Sequence, residues 1–129
     1  MKSSIRLTPQ TKAVLEAVKD LGHATNMQIL NKLRNQFPNL TATTVHRITN
    51  RLIVNNLLAR GPEINGISLI DNNLSIHDHF ICTACDGVRD VKISTHIRKE
   101  LQAQTGISLL PSSLVIYGDC THCKKSNFA

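Results

Sequence analysis

The spacing of the cysteines constrains this chain more than any other feature. All four fall in two matched Cys-x-x-Cys pairs, Cys82/Cys85 and Cys120/Cys123, separated by residues 86–119. A two-residue gap lets both sulfurs of a tight turn face one ion, and two such turns complete a tetrahedral thiolate site. Zinc (Zn2+) suits four soft ligands with no open position, so a closed structural zinc site is expected at Cys82, Cys85, Cys120 and Cys123. Disulfides are disfavoured in a cytosolic chain, and a thioredoxin-like redox site needs one such pair rather than two. A half-chain of under 60 residues buries a thin core, so metal binding is expected to hold it together.

The charge divides the chain at about the same place. The net charge is +6 over 129 residues. Residues 1–72 carry nine Lys or Arg against four acids, whereas residues 73–129 are nearly balanced. A basic half joined to a near-neutral half points to a polyanionic partner for the first. The start of the chain lacks the apolar stretch of a secretory signal, and no run approaches a membrane span, so a cytoplasmic protein with no membrane partner is expected.

The apolar period is helical from Thr8 to Leu57. Thr8 and Pro9 read as a helix start, with Val14, Leu15, Val18 and Leu21 inward and Gly22 as the stop. Thr25 with Gln28 forms a capping-box pattern for a second helix, buried through Ile29, Leu30, Leu33 and Phe37 and ended by Pro38. A third helix starts near Thr41 with Val45, Ile48 and Leu52 inward. The period then changes to that of a β-hairpin, Leu57–Arg60 and Ile67–Ile70 around a turn spanning Gly61 to Gly66. Three helices and a hairpin are the order of a winged helix-turn-helix. Opposite the apolar stripe of the third helix lie Thr43, Thr44, His46, Arg47, Asn50 and Arg51, side chains suited to base edges and phosphates. Of these, Thr43, Thr44, His46, Arg47 and Arg51 are the expected contacts to double-stranded DNA.

The second half reads as α+β. His79–Cys82 and Val88–Val91 are short strands around a turn at Asp86-Gly87. Ser94 or Thr95 caps a helix through Gln104 with Ile97 and Leu101 inward, and Ile107–Tyr117 is mostly extended with a break at Pro111. The expected division is a winged-helix domain at 1–72 and a small α/β domain at 73–129, with the linker near 71–73. Beside the first cysteine pair stand Asp71, His77, Asp78, His79 and Asp90, and His23 lies between the first two helices. Imidazole and carboxylate donors suit Fe(II), Mn(II) or Zn(II). Scattered surface His and Asp would be the bland alternative. No nucleophile elbow, phosphate loop, metalloprotease or deaminase motif is present, so no enzyme is expected.

Leu7-Thr8-Pro9-Gln10, Phe37-Pro38-Asn39-Leu40-Thr41, Thr44-Val45-His46-Arg47, His77-Asp78-His79-Phe80-Ile81-Cys82-Thr83-Ala84-Cys85 and Tyr117-Gly118-Asp119-Cys120-Thr121-His122-Cys123 together resemble the Ferric uptake regulator (Fur) family. The resemblance implies a dimeric, metal-dependent repressor that binds a palindromic operator, with a C-terminal dimerisation domain built on the structural zinc and a regulatory metal at the hinge. His23, Asp71, His77, His79 and Asp90 match the three His and two Asp that hold Fe2+ or Mn2+ in the peroxide-sensing (PerR-type) branch. By the same resemblance His23 and His77 are the oxidation-sensitive ligands. Ile76 and Ser112 stand where many relatives carry His for an additional metal site. His46 replaces a usual Tyr, Arg47 resembles the iron-uptake branch, and Asp86 stands where Gly is usual. An iron- or zinc-uptake repressor on the same scaffold is the alternative, and a metal-dependent enzyme the remote one.

Overall fold

A computed structural model of the chain describes residues 5–108 and 113–120. The chain divides into two compact units, Met1–Leu74 and Ser75–Ala129. The division falls two residues beyond the boundary read from the sequence.

In the first unit each helix begins where a side chain satisfies an orphan amide. The Thr8 side chain accepts from Thr11 N to open α1 (Pro9–Leu21), and Gly22 closes it at φ 79. Gly22 leads straight into β1 (His23–Ala24), a two-residue strand that the sequence pattern showed only as a loop. Thr25 and Gln28 form the expected capping box of α2 (Asn26–Leu33), and Thr41 caps α3 (Ala42–Val54) by accepting from Thr44 N. Val14, Val18, Ile29, Val45, Leu52 and Leu58 sit at the centre of the core. Leu21 is exposed rather than inward. Helix α2 ends at Leu33, before Phe37. Arg34-Asn35-Gln36 offers no apolar side chain to hold another turn, and Pro38 disfavours a helical Phe37. Leu40 instead folds back into the core.

β2 (Ala59–Ile64) and β3 (Ile67–Asp71) form the hairpin, and β1 pairs with the far edge of β3, giving the order β1-β3-β2. The turn is shorter than expected. Asn65 and Gly66 alone make it, at φ 53 and 80, the positive values a tight two-residue hairpin demands. Gly61 and Pro62 lie within β2, where the register shifts between Arg60 and Glu63. An edge strand tolerates proline at such an irregularity because no ladder bond is lost.

The second unit has its own sheet, in the order β5-β4-β6. β4 (Asp78–Cys82) runs antiparallel to β5 (Val88–Val91) and parallel to β6 (Val115–Gly118). Ser94 caps α4 (Thr95–Thr105), which Gly106 ends in the left-handed conformation. Ile97 was expected inward but is half exposed, and Arg98 is buried in its place. The reason is Asp78. Its carboxylate accepts from Arg98 and from the backbone amides of Ile93 and Leu114, so α4 turns a guanidinium toward β4. Burial alone would raise the Asp78 pKa, but the Arg98 hydrogen bond and the two amides outweigh it and hold the group below its ordinary 3.8. The expected break at Pro111 lies outside the described residues.

Candidate functional site

Cys82 ends β4, and the chain turns back at once: Cys82 N donates to Gly87 O, and Asp86 N to Cys82 O. Asp86 takes φ 60, a conformation an aspartate tolerates better than most residues. Gly87 keeps the turn open, since a Cβ there would stand 3.2 Å from Cys85 Sγ and the sulfur would have to give by a few tenths of an ångström. The turn therefore works with the glycine one place later than usual. Cys82 Sγ accepts from the backbone amides of Ala84, Cys85 and Cys120 at 3.3, 3.4 and 3.3 Å. Three donors on one sulfur suit a thiolate. Cys85 Sγ and Cys120 Sγ lie 3.7 Å apart, and the three sulfurs all fall within 4.8 Å of one another. Thr83 ties the second pair to the first, donating its amide to Gly118 O and its hydroxyl to Asp119 Oδ1. Cys123 lies outside the described residues.

The imidazole and carboxylate donors converge within each unit. In the first, β1 pairs with β3 so that His23 stands opposite Asp71. His23 Nε2 lies 3.3 Å from Asp71 Oδ2, while Asp71 Oδ1 accepts from Asn73 N. In the second, His79 pairs with Asp90 across β4 and β5. Asp90 Oδ1 lies 3.3 Å from His77 Nε2 and 3.7 Å from His79 Nε2. His77 Nδ1 contacts the Ser75 carbonyl at 2.7 Å. A carbonyl only accepts, so Nδ1 carries the proton and, in the neutral ring, Nε2 is left as an acceptor facing a carboxylate. Two acceptors at that distance are stable only with a cation between them, a proton or a metal ion. A backbone-fixed Nδ1–H is also the usual way an imidazole is oriented as a ligand. Asp78, between the two histidines in sequence, points elsewhere and is committed to Arg98.

On α3, Thr43, Arg47 and Arg51 recur every four residues and so share one exposed row. Thr44 is partly used by the helix cap, where its hydroxyl accepts from Thr41 Oγ1. His46 and Asn50 form the neighbouring row. Both ring nitrogens of His46 lie 3.2 Å from an amide, Asn26 on one side and Asn50 on the other. Arg60, on β2, donates to Asn50 Oδ1.

Residues 2–117 match the Ferric uptake regulator family. The chain belongs to that family. Members of the Fur family are metal-dependent transcriptional regulators, not enzymes. The chain is 30% identical over 127 residues to the peroxide operon regulator of Bacillus subtilis, covering 96% of this chain and 88% of the relative. Its fold is that of the ferric uptake regulator from Francisella tularensis, solved with iron, at TM-score 0.75 and 21% identity, over 96% of this chain and 98% of that one. A zinc uptake regulator complexed with zinc and DNA aligns at TM-score 0.63 and 23% identity, over 97% of this chain and 87% of that one. No helix among the described residues of this Fur-family chain is long and apolar enough to cross a membrane.

Sequence patterns pointed to neither Arg98 nor Asn26. Arg98 lies 20 residues from Asp78 and reads as an ordinary helix charge. Asn26 follows a cap and reads as a first-turn residue. Arg60 was legible only as one of many basic side chains.

Proposed function

We propose that the chain is a dimeric, zinc-stabilised repressor that binds a palindromic operator in double-stranded DNA and releases it when peroxide oxidises its regulatory site. Cys82, Cys85, Cys120 and Cys123 hold the structural zinc. His23 and Asp71 from the first unit and His77, His79 and Asp90 from the second share one Fe2+ or Mn2+. The observation that supports the metal site is the clustering of two imidazole nitrogens, His77 Nε2 and His79 Nε2, at 3.3 and 3.7 Å from one carboxylate oxygen of Asp90. Ligands drawn from both units make the metal a latch, because a cation that binds only one arrangement shifts the population toward it. Two-fold symmetry of the protein asks for two-fold symmetry of the operator. Thr43, Arg47 and Arg51 face the bases and backbone.

Iron, when bound, supplies the reduction of peroxide beside its own ligands. His23 and His77 are the imidazoles that take up oxygen. An oxidised imidazole is a poor donor, so the latch opens and the operator is released. The deciding experiment treats the iron and manganese forms with micromolar peroxide and follows DNA release and peptide mass. Release of the iron form alone, with one added oxygen on peptides holding His23 or His77, is expected, and Asp90→Glu should blunt the oxidation. Release without that mass gain moves the sensing chemistry elsewhere. No release at all, with reversible metal response, makes the chain an iron- or zinc-uptake repressor.

A further inference from the structure

His46 sits beside the exposed row of α3, and its hydrogen bonds decide what it can do. Arg60 carries only donors, so the group of Asn50 that meets it at 3.4 Å is the amide oxygen. The Asn50 amide nitrogen is then left to donate to His46 Nε2 at 3.2 Å. A neutral imidazole has one N–H, so an accepting Nε2 puts the proton on Nδ1. Nδ1 faces the Asn26 amide at 3.2 Å, and there it requires the amide oxygen. A half-turn of the Asn26 amide, which exchanges its oxygen and nitrogen in place, supplies it. The Asn26 nitrogen then donates to Thr49 Oγ1, 2.9 Å away, and the buried Thr49 hydroxyl donates to the His46 carbonyl at 3.1 Å. Each contact of the relay then pairs a donor with an acceptor. The opposite tautomer turns Asn50 round and sets its NH2 against the Arg60 guanidinium, donor against donor.

We infer that His46 is a positioning residue rather than a reader of bases. Both of its ring nitrogens are used inside the protein, to hold Asn50 and through it Arg60, so that α3 and the β2–β3 hairpin offer DNA one joined surface. The inference rests on the DNA-binding reading above and reassigns one of its expected contacts. Arg60 needs such a restraint. It is exposed and borders a cavity of about 260 Å³ shared with Asn26, His46 and Asn50, so packing fixes it weakly. An arginine already held in place loses less rotamer freedom when it meets a phosphate.

The test has a DNA-free arm and a DNA arm, both on the zinc- and manganese-loaded full chain. Nitrogen-15 spectra of the His46 ring should show Nδ1 protonated and Nε2 bare, with the preference lost in Asn50→Ala. A protonated Nε2 in the neutral wild-type ring overturns the relay. For binding, a palindromic duplex is selected from a random pool by the wild-type protein. His46→Ala should weaken it about threefold to tenfold, the scale of one or two hydrogen bonds, with base preferences unchanged at every position. Adding Arg60→Ala to that variant should cost less than twofold more, because Arg60 is already loose. Relaxed preference at a single base pair, with the Arg60→Ala loss fully additive, makes His46 a base reader and overturns the inference. If the wild type selects no palindrome, the DNA-binding reading falls, and the ring-nitrogen spectra decide the relay alone.

Discussion

Among the described residues, Met1–Leu74 buries fifteen hydrophobic side chains, whereas Ser75–Ala129 buries three, two of them cysteines. In place of an apolar core the second unit buries Asp78, His79 and Arg98. The first unit is stabilised by area removed from water, at about 1.5–3 kcal/mol for each fully buried Leu, Ile or Val. The second depends on groups that are unfavourable when buried alone and stable only with their partners. A chain of this size can therefore carry two compact units with different failure modes. One tolerates chemical insult and fails by cavity, and the other tolerates repacking and fails by loss of a partner.

The largest expected effect separates these modes at once. Cys120→Ser, or zinc removal by a strong chelator, should unfold the second unit, because structural zinc contributes on the order of 10 kcal/mol to a small thiolate domain. The first unit should keep its helices and its own cooperative transition. Amide spectra with zinc analysis check both. Stoichiometric zinc in Cys120→Ser, or simultaneous loss of both units, would break the comparison.

Next in size is the buried pair. Arg98→Ala leaves the Asp78 carboxylate buried against β4 without its partner and should cost the second unit about 3–5 kcal/mol. The sign with pH follows from the lowered Asp78 pKa. A carboxylate held below its ordinary value lends stability that is full above 3.8 and fades as pH falls through the lowered value. In Arg98→Ala the lowering hydrogen bond is gone and burial, which raises the pKa, is left, so Asp78 takes up a proton at higher pH than in the wild type and the gap should narrow from there as pH falls. A gap that does not change with pH would mean Arg98 acts through another group. In the first unit the counterpart is Leu52→Ala, whose fully buried side chain leaves a cavity costing about 2–5 kcal/mol. It should lower the first transition and leave bound zinc unchanged.

The two units were also unequally legible in the sequence. Caps are local chemistry, so Thr8, Thr25, Thr41 and Ser94 marked their helices correctly. The apolar period gave the α3 core for the same reason. What escaped was non-local. β1 is two residues long and exists because β3 is there to pair with, yet it sets His23 against Asp71. Ile97 and Arg98 on α4 exchange places because Asp78, far off in sequence, needs a guanidinium more than the unit needs one isoleucine inside. The His and Asp residues of the candidate metal site were picked out from spacing and resemblance. Their pairing across strands was not, since register depends on which strands meet.

The smallest effects give the finest test, because cap deletions perturb each unit by nearly the same amount. Thr41→Ala removes the acceptor for Thr44 N, and Ser94→Ala the acceptor for Ile97 N. Each should cost about 1 kcal/mol. In zinc-loaded protein without regulatory metal, Thr41→Ala should lower only the first transition and Ser94→Ala only the second. Manganese should change that pattern. A ligand that binds only when both donor sets are folded stabilises both, by RT ln(1 + [L]/Kd). At about a hundredfold excess over Kd that is about 2.7 kcal/mol, more than either cap is worth. The two transitions should then approach one another, and a cap deletion in either unit should reach the other. Melting curves of both variants with and without manganese decide it. If the transitions stay separate at saturating manganese, the metal is held by one unit alone and cannot act as a latch. If they merge in the wild type but not in His23→Ala, the first unit's share of the site depends on His23.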